Sequence, residues 1–432
     1  MMAARTTPRA ALGLCALALA YPACAQAGST WTLDWTLEVR ERAEFLDNPA
    51  FTPGSASNPG DNRWVGLQRL QADGQVGLAP GVAVAASLVC AVRTDGPGAP
   101  VDTNALDFGE LYLNLGDRPG DGDRWLRIGR QHLRYGSQRL VGWRDGTNVR
   151  RSFDGVRASL PLGEEWSVES FAALLVDIES TGVFNDGRDE GQVLAGVYGT
   201  GGFGPTGADV YYLYAERDAN LAVEGTADQR RHTLGTRLFS PDGKDGLFWD
   251  WEAAVQFGRH GGADIRAWTL ATNTGWRWAD ATWAPEVMLS ANIASGDGRV
   301  GDGTLGTFDA LFPRGSYFSE AAILGPSNFV NINPWLRVRP TERFSAFVNV
   351  NAFHRLRRAD GVYGPPGNLL RAPVPDAPRE VTTQVSTGLA YTLSDAVALE
   401  ALYTFADAGR FIEAAGPSGD VNFVQLTLSA TF

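Results

Sequence analysis

The chain has 432 residues, 44% hydrophobic, 10% aromatic and 20% charged, with a formal net charge of −12. That composition excludes a disordered chain, the acidic balance argues against a general nucleic-acid binder, and 3 Cys are too few for a disulfide scaffold. One imbalance needs a cause: basic residues number 37, yet the only lysine is Lys244, so positive charge is almost wholly guanidinium.

In chain order, residues 1–25 read first, as a secretory signal peptide. Arg5 and Arg9 give a positive start, Ala10 to Ala20 an apolar stretch, and Ala23-Cys24-Ala25 an A-x-A cleavage site. The apolar stretch is too short to span a bilayer. A lipobox ending at Cys24 is the competing reading, and Tyr21 stands against it where Leu is expected. Cleavage after Ala25 removes two arginines and makes Gln26 the first mature residue.

Residues 26–432 read as one domain. No segment has the roughly 18 consecutive apolar residues of a membrane helix, and what recurs is alternation with period two. Trp31, Leu33, Trp35, Leu37 and Val39 alternate with Thr32, Asp34, Thr36, Glu38 and Arg40. The pattern returns from Leu247 to Phe257, from Phe344 to Ala352 and from Val424 to Phe432. Strands are predicted near 30–44, 63–76, 81–95, 104–116, 124–136, 148–160, 164–178, 190–200, 207–219, 230–240, 246–260, 265–279, 282–295, 328–340, 342–355, 379–393, 396–407 and 420–432. Tight turns at Ser240 to Gly246 and Ser394-Asp395 alternate with long loops at Leu46 to Asn62, Ser295 to Asn328 and Leu356 to Pro378. The fold class is therefore all-β: a single transmembrane antiparallel barrel of about 18 strands, with short periplasmic turns and long extracellular loops. A barrel of that size is wide enough for an aqueous channel. Trp276, Trp278 and Tyr391 suit interfacial girdles. The terminal Phe432 suits a strand read by the barrel-insertion machinery of a Gram-negative outer membrane.

Charge is segregated. Residues 124–157 hold nine Arg against Asp145 and Asp154, a local charge of +7 that leaves −19 elsewhere. An arginine facing lipid at the midplane costs about 2–4 kcal/mol, so most of these must face the lumen, the rim or a loop. A lumenal arginine cluster selects anions, and the guanidinium fork matches carboxylates. The candidate pore-lining residues here are Arg127, Arg130, Arg134, Arg150, Arg151 and Arg157, with Asp154 and Glu110. The competing reading is that these arginines pair with acids on neighbouring strands and stiffen the wall. Arg127 and Arg130 are three apart, so a regular strand points only one of them inward. Either Gly129 marks a bulge or one of the two lies beyond the hydrocarbon zone.

A second polar set comprises Asn331, Asn333, Trp335, Arg337 and Arg339, then Asn349, Asn351 and Arg355 on the next strand. Of these, Asn333, Arg337, Asn349 and Arg355 are candidate pore residues, offering a sugar hydrogen bonds beside an aromatic plane. The four His have no Ser in a tight motif, so no catalytic site is expected. No CxxC or HExxH spacing occurs, so no metal or cofactor is expected.

Several stretches resemble the alginate export family of outer-membrane barrels. They are Gly129-Arg130-Gln131, Arg151 to Arg157 (RSFDGVR), Thr307 to Asn328 leading into Asn333-Pro334-Trp335-Leu336, and Tyr403 with Gly409 to Ile412 before the closing strand. The resemblance implies an 18-stranded monomeric barrel with an arginine-lined pore. In the alginate exporter that pore passes a polyuronate outward by diffusion, which would place Arg130 and either Arg150 or Arg151 at the constriction. The expected function is passive diffusion of an acidic saccharide or small anion. The alternative is a less selective porin for small nutrients. Expected partners are outer-membrane lipid and lipopolysaccharide, the insertion machinery and the anionic solute, and no nucleic acid.

Overall fold

A computed structural model describes residues 32–53, 64–94, 99–117, 122–240 and 245–432. The predicted signal peptide, Trp31, Lys244 and much of the first long loop lie outside the described residues. Eighteen long strands build one sheet: β1 (Thr32–Asp47), β2 (Trp64–Ala79), β3 (Val82–Arg93), β4 (Asn104–Gly116), β5 (Trp125–Gln131), β6 (Phe153–Leu162), β7 (Trp166–Asp177), β8 (Gly187–Phe203) and β9 (Thr206–Ala222). It continues with β10 (Gly225–Phe239), β11 (Gly246–His260), β12 (Ala263–Arg277), β13 (Glu286–Ala294), β14 (Phe329–Thr341), β15 (Phe344–Arg355), β16 (Glu380–Ser394), β17 (Val397–Ala406) and β18 (Val421–Thr431). Each pairs antiparallel with its sequence neighbours, for example Arg127 with Arg157 across β5–β6. The sheet closes on itself where β1 meets β18, Val39 opposite Ala430. Closure removes every sheet edge, which a lipid environment requires.

The alternation sorts the two faces opposite to a soluble protein. Leu33, Trp35, Leu247, Val255, Ile332, Leu336, Leu426 and Leu428 are exposed. Arg40, Arg69, Gln71, Asn331, Asn351, Thr404 and Gln425 are buried. Apolar side chains therefore face lipid and polar ones face the interior.

All eighteen predicted strands are present, with shifted ends. The fifth was expected over 124–136 and stops at Gln131; the sixth was expected from 148 and starts at Phe153. Between them the chain leaves the wall and folds into the lumen, burying Leu133, Tyr135, Leu140, Val141 and Asn148. A second long loop, 295–328, also enters, burying Phe308, Leu311, Phe312, Ile323 and Leu324. The two inward loops meet where Gly142 N–H donates to the Phe312 carbonyl at 2.8 Å and Phe312 N–H to that of Leu140 at 2.9 Å.

Together they fill one side of the barrel. Tyr135 stacks between Phe171 of β7 and Tyr198 of β8, and Tyr198 stacks on Tyr211 of β9. Polar ties back the packing. Arg139 of the first loop reaches Asp250 and Glu252 of β11, both at 2.9 Å. Arg217 of β9 reaches Asp309 of the second loop at 2.5 Å. Arg139 and Arg217 are thus paired with carboxylates, which offsets the cost of burying charge in a low dielectric.

Candidate functional site

The inward loops leave the opposite side of the lumen open. A cavity of about 980 Å³ lies between them and the wall formed by β1, β2 and β14 to β18. It runs from the loop tips, at Asp145, Gly146 and Ser316 to Glu320, to residues beside the short turns, such as Ser345, Glu400 and Thr431. Its lining includes Arg40, Arg42, Arg69, Arg150, Arg314 and Arg337 against Glu38, Asp145, Glu320 and Glu400, a surplus of two positive charges. The whole chain carries −12.

Most of these arginines are held. On β1, Arg40 donates to the carbonyls of Asp145 at 3.0 Å and Thr147 at 2.7 Å, and Arg42 to that of Gly146 at 2.6 Å. These forks dock the first loop's tip on the wall. Arg69 of β2 pairs with Glu38 and with Asp145 at 3.2 Å. Arg150 closes the network, reaching Asp145 at 2.6 Å, Gln71 at 2.7 Å and Glu38 at 2.9 Å. Its guanidinium also lies 4.7 Å from the centre of the Trp143 ring, within cation–π range.

Two arginines are less engaged. Arg314 is exposed and donates to the Ser316 carbonyl at 3.2 Å. Arg337 of β14 lies 4.3 Å from the Trp335 ring centre, and among the described residues it forms no ion pair within 4.0 Å. Trp335, Arg337, Phe347 and Asn349 form a patch of aromatic planes, an amide and a cation on adjoining strands. That combination offers stacking for a sugar ring and a fork for a carboxylate.

The candidates from sequence divide into two groups. Arg150, Arg337 and Asn349 line the cavity. Asn333 shares the inward face of β14, opposite Ser290 of β13. The others face protein groups. Arg127 points inward, donating to Asn114 at 3.1 Å with its guanidinium 4.2 Å from the Trp125 ring centre. Arg157 grips Glu169 at 2.6 Å beneath Tyr135. Arg134 is exposed beside Trp143, at 4.8 Å. Arg151 is buried and donates to the carbonyls of Gly142 at 3.2 Å and Pro313 at 3.1 Å, joining the two inward loops. Glu110 accepts the His132 N–H at 2.8 Å, where the first loop departs from β5. Arg355 is buried, donating to four carbonyls of Arg358, Asp360, Ala377 and Pro378 under Phe411.

Arg130 takes the outward parity. It lies two residues from the exposed Ile128, and its partner Asp154 two from the exposed Val156. It pairs with Asp154 at 2.9 Å and Asp107 at 3.4 Å and donates to the Asp186 carbonyl at 3.0 Å. Asp154 also meets Arg188 at 3.3 Å. The Arg127–Arg130 spacing is thus met without a bulge: the register through Gly129 is unbroken on both sides. Gly129 serves a different need. Its φ is +134°, and a Cβ there would sit 2.3 Å from the Leu111 carbonyl oxygen, so only glycine fits.

Arg40, Arg42, Arg69, Arg314 and Trp143 were missed as candidates. A signal for the first two is in the sequence: Glu38, Arg40, Arg42 and Glu44 alternate with Leu37, Val39 and Ala43 on the opposite parity.

The alginate export family model matches residues 32–422 of the chain. No curated protein matches it by sequence. Among solved structures, OccK11 (OpdR) of Pseudomonas aeruginosa superposes with a TM-score of 0.61 at 14% identity, covering 93% of this chain and 96% of that one. OccK2 (OpdF) of the same organism, solved in complex with glucuronate, gives 0.60 at 11% identity, covering 93% and 98%. OccAB3 of Acinetobacter baumannii gives 0.62 at 11% identity, covering 92% and 99%.

Proposed function

The chain belongs to the alginate export family, and from that premise of an outer-membrane channel we propose that it passes an acidic saccharide, a polyuronate or a related carboxylate, by passive diffusion. The observation that carries this reading is the open half-lumen with its positive surplus, in which Arg337 lies against Trp335 without an ion-pair partner among the described residues. A uronate brings a planar carboxylate for the guanidinium fork and a ring face for the indole. A solved barrel of similar fold holds glucuronate, a sugar of the proposed class.

The arginines divide their labour. Arg40, Arg42, Arg69 and Arg150 hold the first loop against β1 and β2 and set the width of the path. Arg314 and Arg337 keep donors for a passing anion. A field from fixed cations favours anions along the path without binding them tightly, which diffusion requires. Glu38, Asp145, Glu320 and Glu400 interrupt the positive lining, so no single deep well traps a polyanion.

The test is solute permeation through the purified full chain in liposomes and planar bilayers. Uronate oligomers are expected to permeate faster than neutral oligosaccharides of equal length, and current to be carried mainly by anions at low salt. Equal permeation of neutral and acidic sugars would replace this reading with the unselective porin.

A further inference from the structure

The second inward loop begins with a glycine-rich leg, Gly296 to Gly306 (GDGRVGDGTLG), outside the cavity. Thr304 and Leu305 of this leg pair with Asp264 and Ile265 at the start of β12, on the long-loop rim. The tip of the β9–β10 hairpin, with Glu224, stands beside it. Glu224 accepts the Gly301 N–H at 2.7 Å. Asp302 accepts the Thr304 N–H at 2.9 Å. Asp297 accepts the Arg299 N–H through Oδ1 at 3.4 Å. Each carboxylate thus gives one oxygen to the loop backbone and keeps another.

Carboxylate oxygens of Glu224, Asp297 and Asp302, one from each, all lie within 4.8 Å of one another. Asp297 is 2% exposed, and its Oδ2 is buried with no hydrogen-bond partner. Among the described residues, none of the three forms an ion pair with an arginine. The neighbouring Asp360 shows the contrast. Also buried, it is satisfied by Thr307, Tyr363 and the backbone N–H groups of Asp297 and Gly361. A buried carboxylate with an unpartnered oxygen beside two further carboxylates is costly unless a cation or a shared proton sits among them.

We propose that Glu224, Asp297 and Asp302 bind a calcium ion at the extracellular rim. Oxygens about 2.4 Å from a central ion lie at most about 4.8 Å apart, and an oxygen from each of the three groups falls within that limit of the others. Three carboxylates offer part of the shell of about 6–8 oxygens that calcium takes, and water completes it beside the exposed Asp302. Magnesium fits less well, since it demands a tight octahedron and keeps most of its water. The ion staples the β9–β10 tip to the leg of the loop that carries Phe308 and Phe312 into the lumen. Three charges on a partly exposed rim belong to the weak extracellular class, with Kd about 10⁻⁴–10⁻³ M.

The experiment is calcium titration of the full chain, refolded in detergent free of lipopolysaccharide, by calorimetry and thermal unfolding. One calcium per chain in that range and a rise in Tm with calcium are expected, with a weaker response to magnesium. Asp302→Asn combined with Glu224→Gln should weaken binding about ten-fold or more by removing two of three charged ligands, and Asp297→Asn should do the same where it folds. No binding, binding unchanged in the double variant, or an equal response to magnesium would overturn the assignment.

Discussion

Replacing Arg337 and Arg314 by glutamine tests the division of labour among the arginines. Both line the cavity, and neither forms an ion pair among the described residues. The double change removes the surplus of two positive charges from the lining and leaves the Arg40, Arg42, Arg69 and Arg150 network intact. A carboxylate passing about 4 Å from one guanidinium gains about 1 kcal/mol at the dielectric of water and about 4 kcal/mol at an effective dielectric of 20. A polar-lined cavity of about 980 Å³ has room for many waters, so the lower figure governs. Each arginine then contributes about five-fold, and the pair about thirty-fold, to the preference for a uronate over a neutral sugar. The assay is relative permeation into liposomes at low ionic strength, with bilayer reversal potentials alongside. The difference should shrink in molar salt, where the Debye length falls to about 3 Å. Arg355→Gln removes one positive charge outside the cavity lining and should leave selectivity as it was. An unchanged uronate preference in the Arg337/Arg314 variant at low salt would refute the reasoning.

Three further outcomes are expected. Arg40→Ala with Arg42→Ala removes the donors to the carbonyls of Asp145, Gly146 and Thr147; single-channel traces of the variant should show larger and noisier currents than the wild type as the loop tip leaves the wall, and variant traces matching the wild type would contradict the docking role. Arg139→Met leaves Asp250 with Arg237 and Glu252 with Tyr211, so the loss should sit near the low end of the buried-pair range, about 3 kcal/mol, read as a lower urea midpoint in detergent; an unshifted midpoint would count against the tie. Deleting Phe432 removes its paired backbone bonds with Leu37, at 2.9 and 3.0 Å, across the barrel seam, and should reduce the assembled, heat-modifiable form in outer membranes several-fold. Assembly at the normal yield would show that these seam bonds are not needed to close the barrel.

The wall was legible in the sequence because a lipid-facing strand writes its burial pattern directly into period two. Leu247 to Phe257 and Val424 to Phe432 needed no distant information. The inward loops carry no such period. Their destination depends on partners far along the chain: Arg40 meets Thr147, and Arg151 meets Pro313. That is why the fifth strand was drawn five residues too long, and why the open side of the lumen was not visible beforehand. The positive segment 124–157 was also legible, but local charge density does not say what a guanidinium faces. Arg130, Arg151 and Arg157 meet Asp154, loop carbonyls and Glu169. The cavity draws much of its charge instead from β1 and β2, where Arg40, Arg42 and Arg69 are interleaved with Glu38, Glu41, Glu44 and Gln68, so that no stretch there shows a dense positive run.

The near-absence of lysine acquires a geometric reason at several positions. Arg355 spreads its donors over four carbonyls on two chain segments. Arg40 bridges the Asp145 and Thr147 carbonyls and the Asn148 side chain. Arg151 joins the two inward loops through the Gly142 and Pro313 carbonyls. An ammonium is a compact point charge; it does not span such separated acceptors, and it holds its water more strongly. A barrel whose loops fold back into a wet lumen must satisfy loop carbonyls that no strand pairs with. A planar fork on the wall does this with one side chain. The same fork, where no carbonyl or carboxylate of the protein claims it, is the group best shaped to meet the carboxylate of a passing sugar. Structure and selectivity therefore draw on one residue type, and the presence of a protein partner separates Arg151 from Arg337.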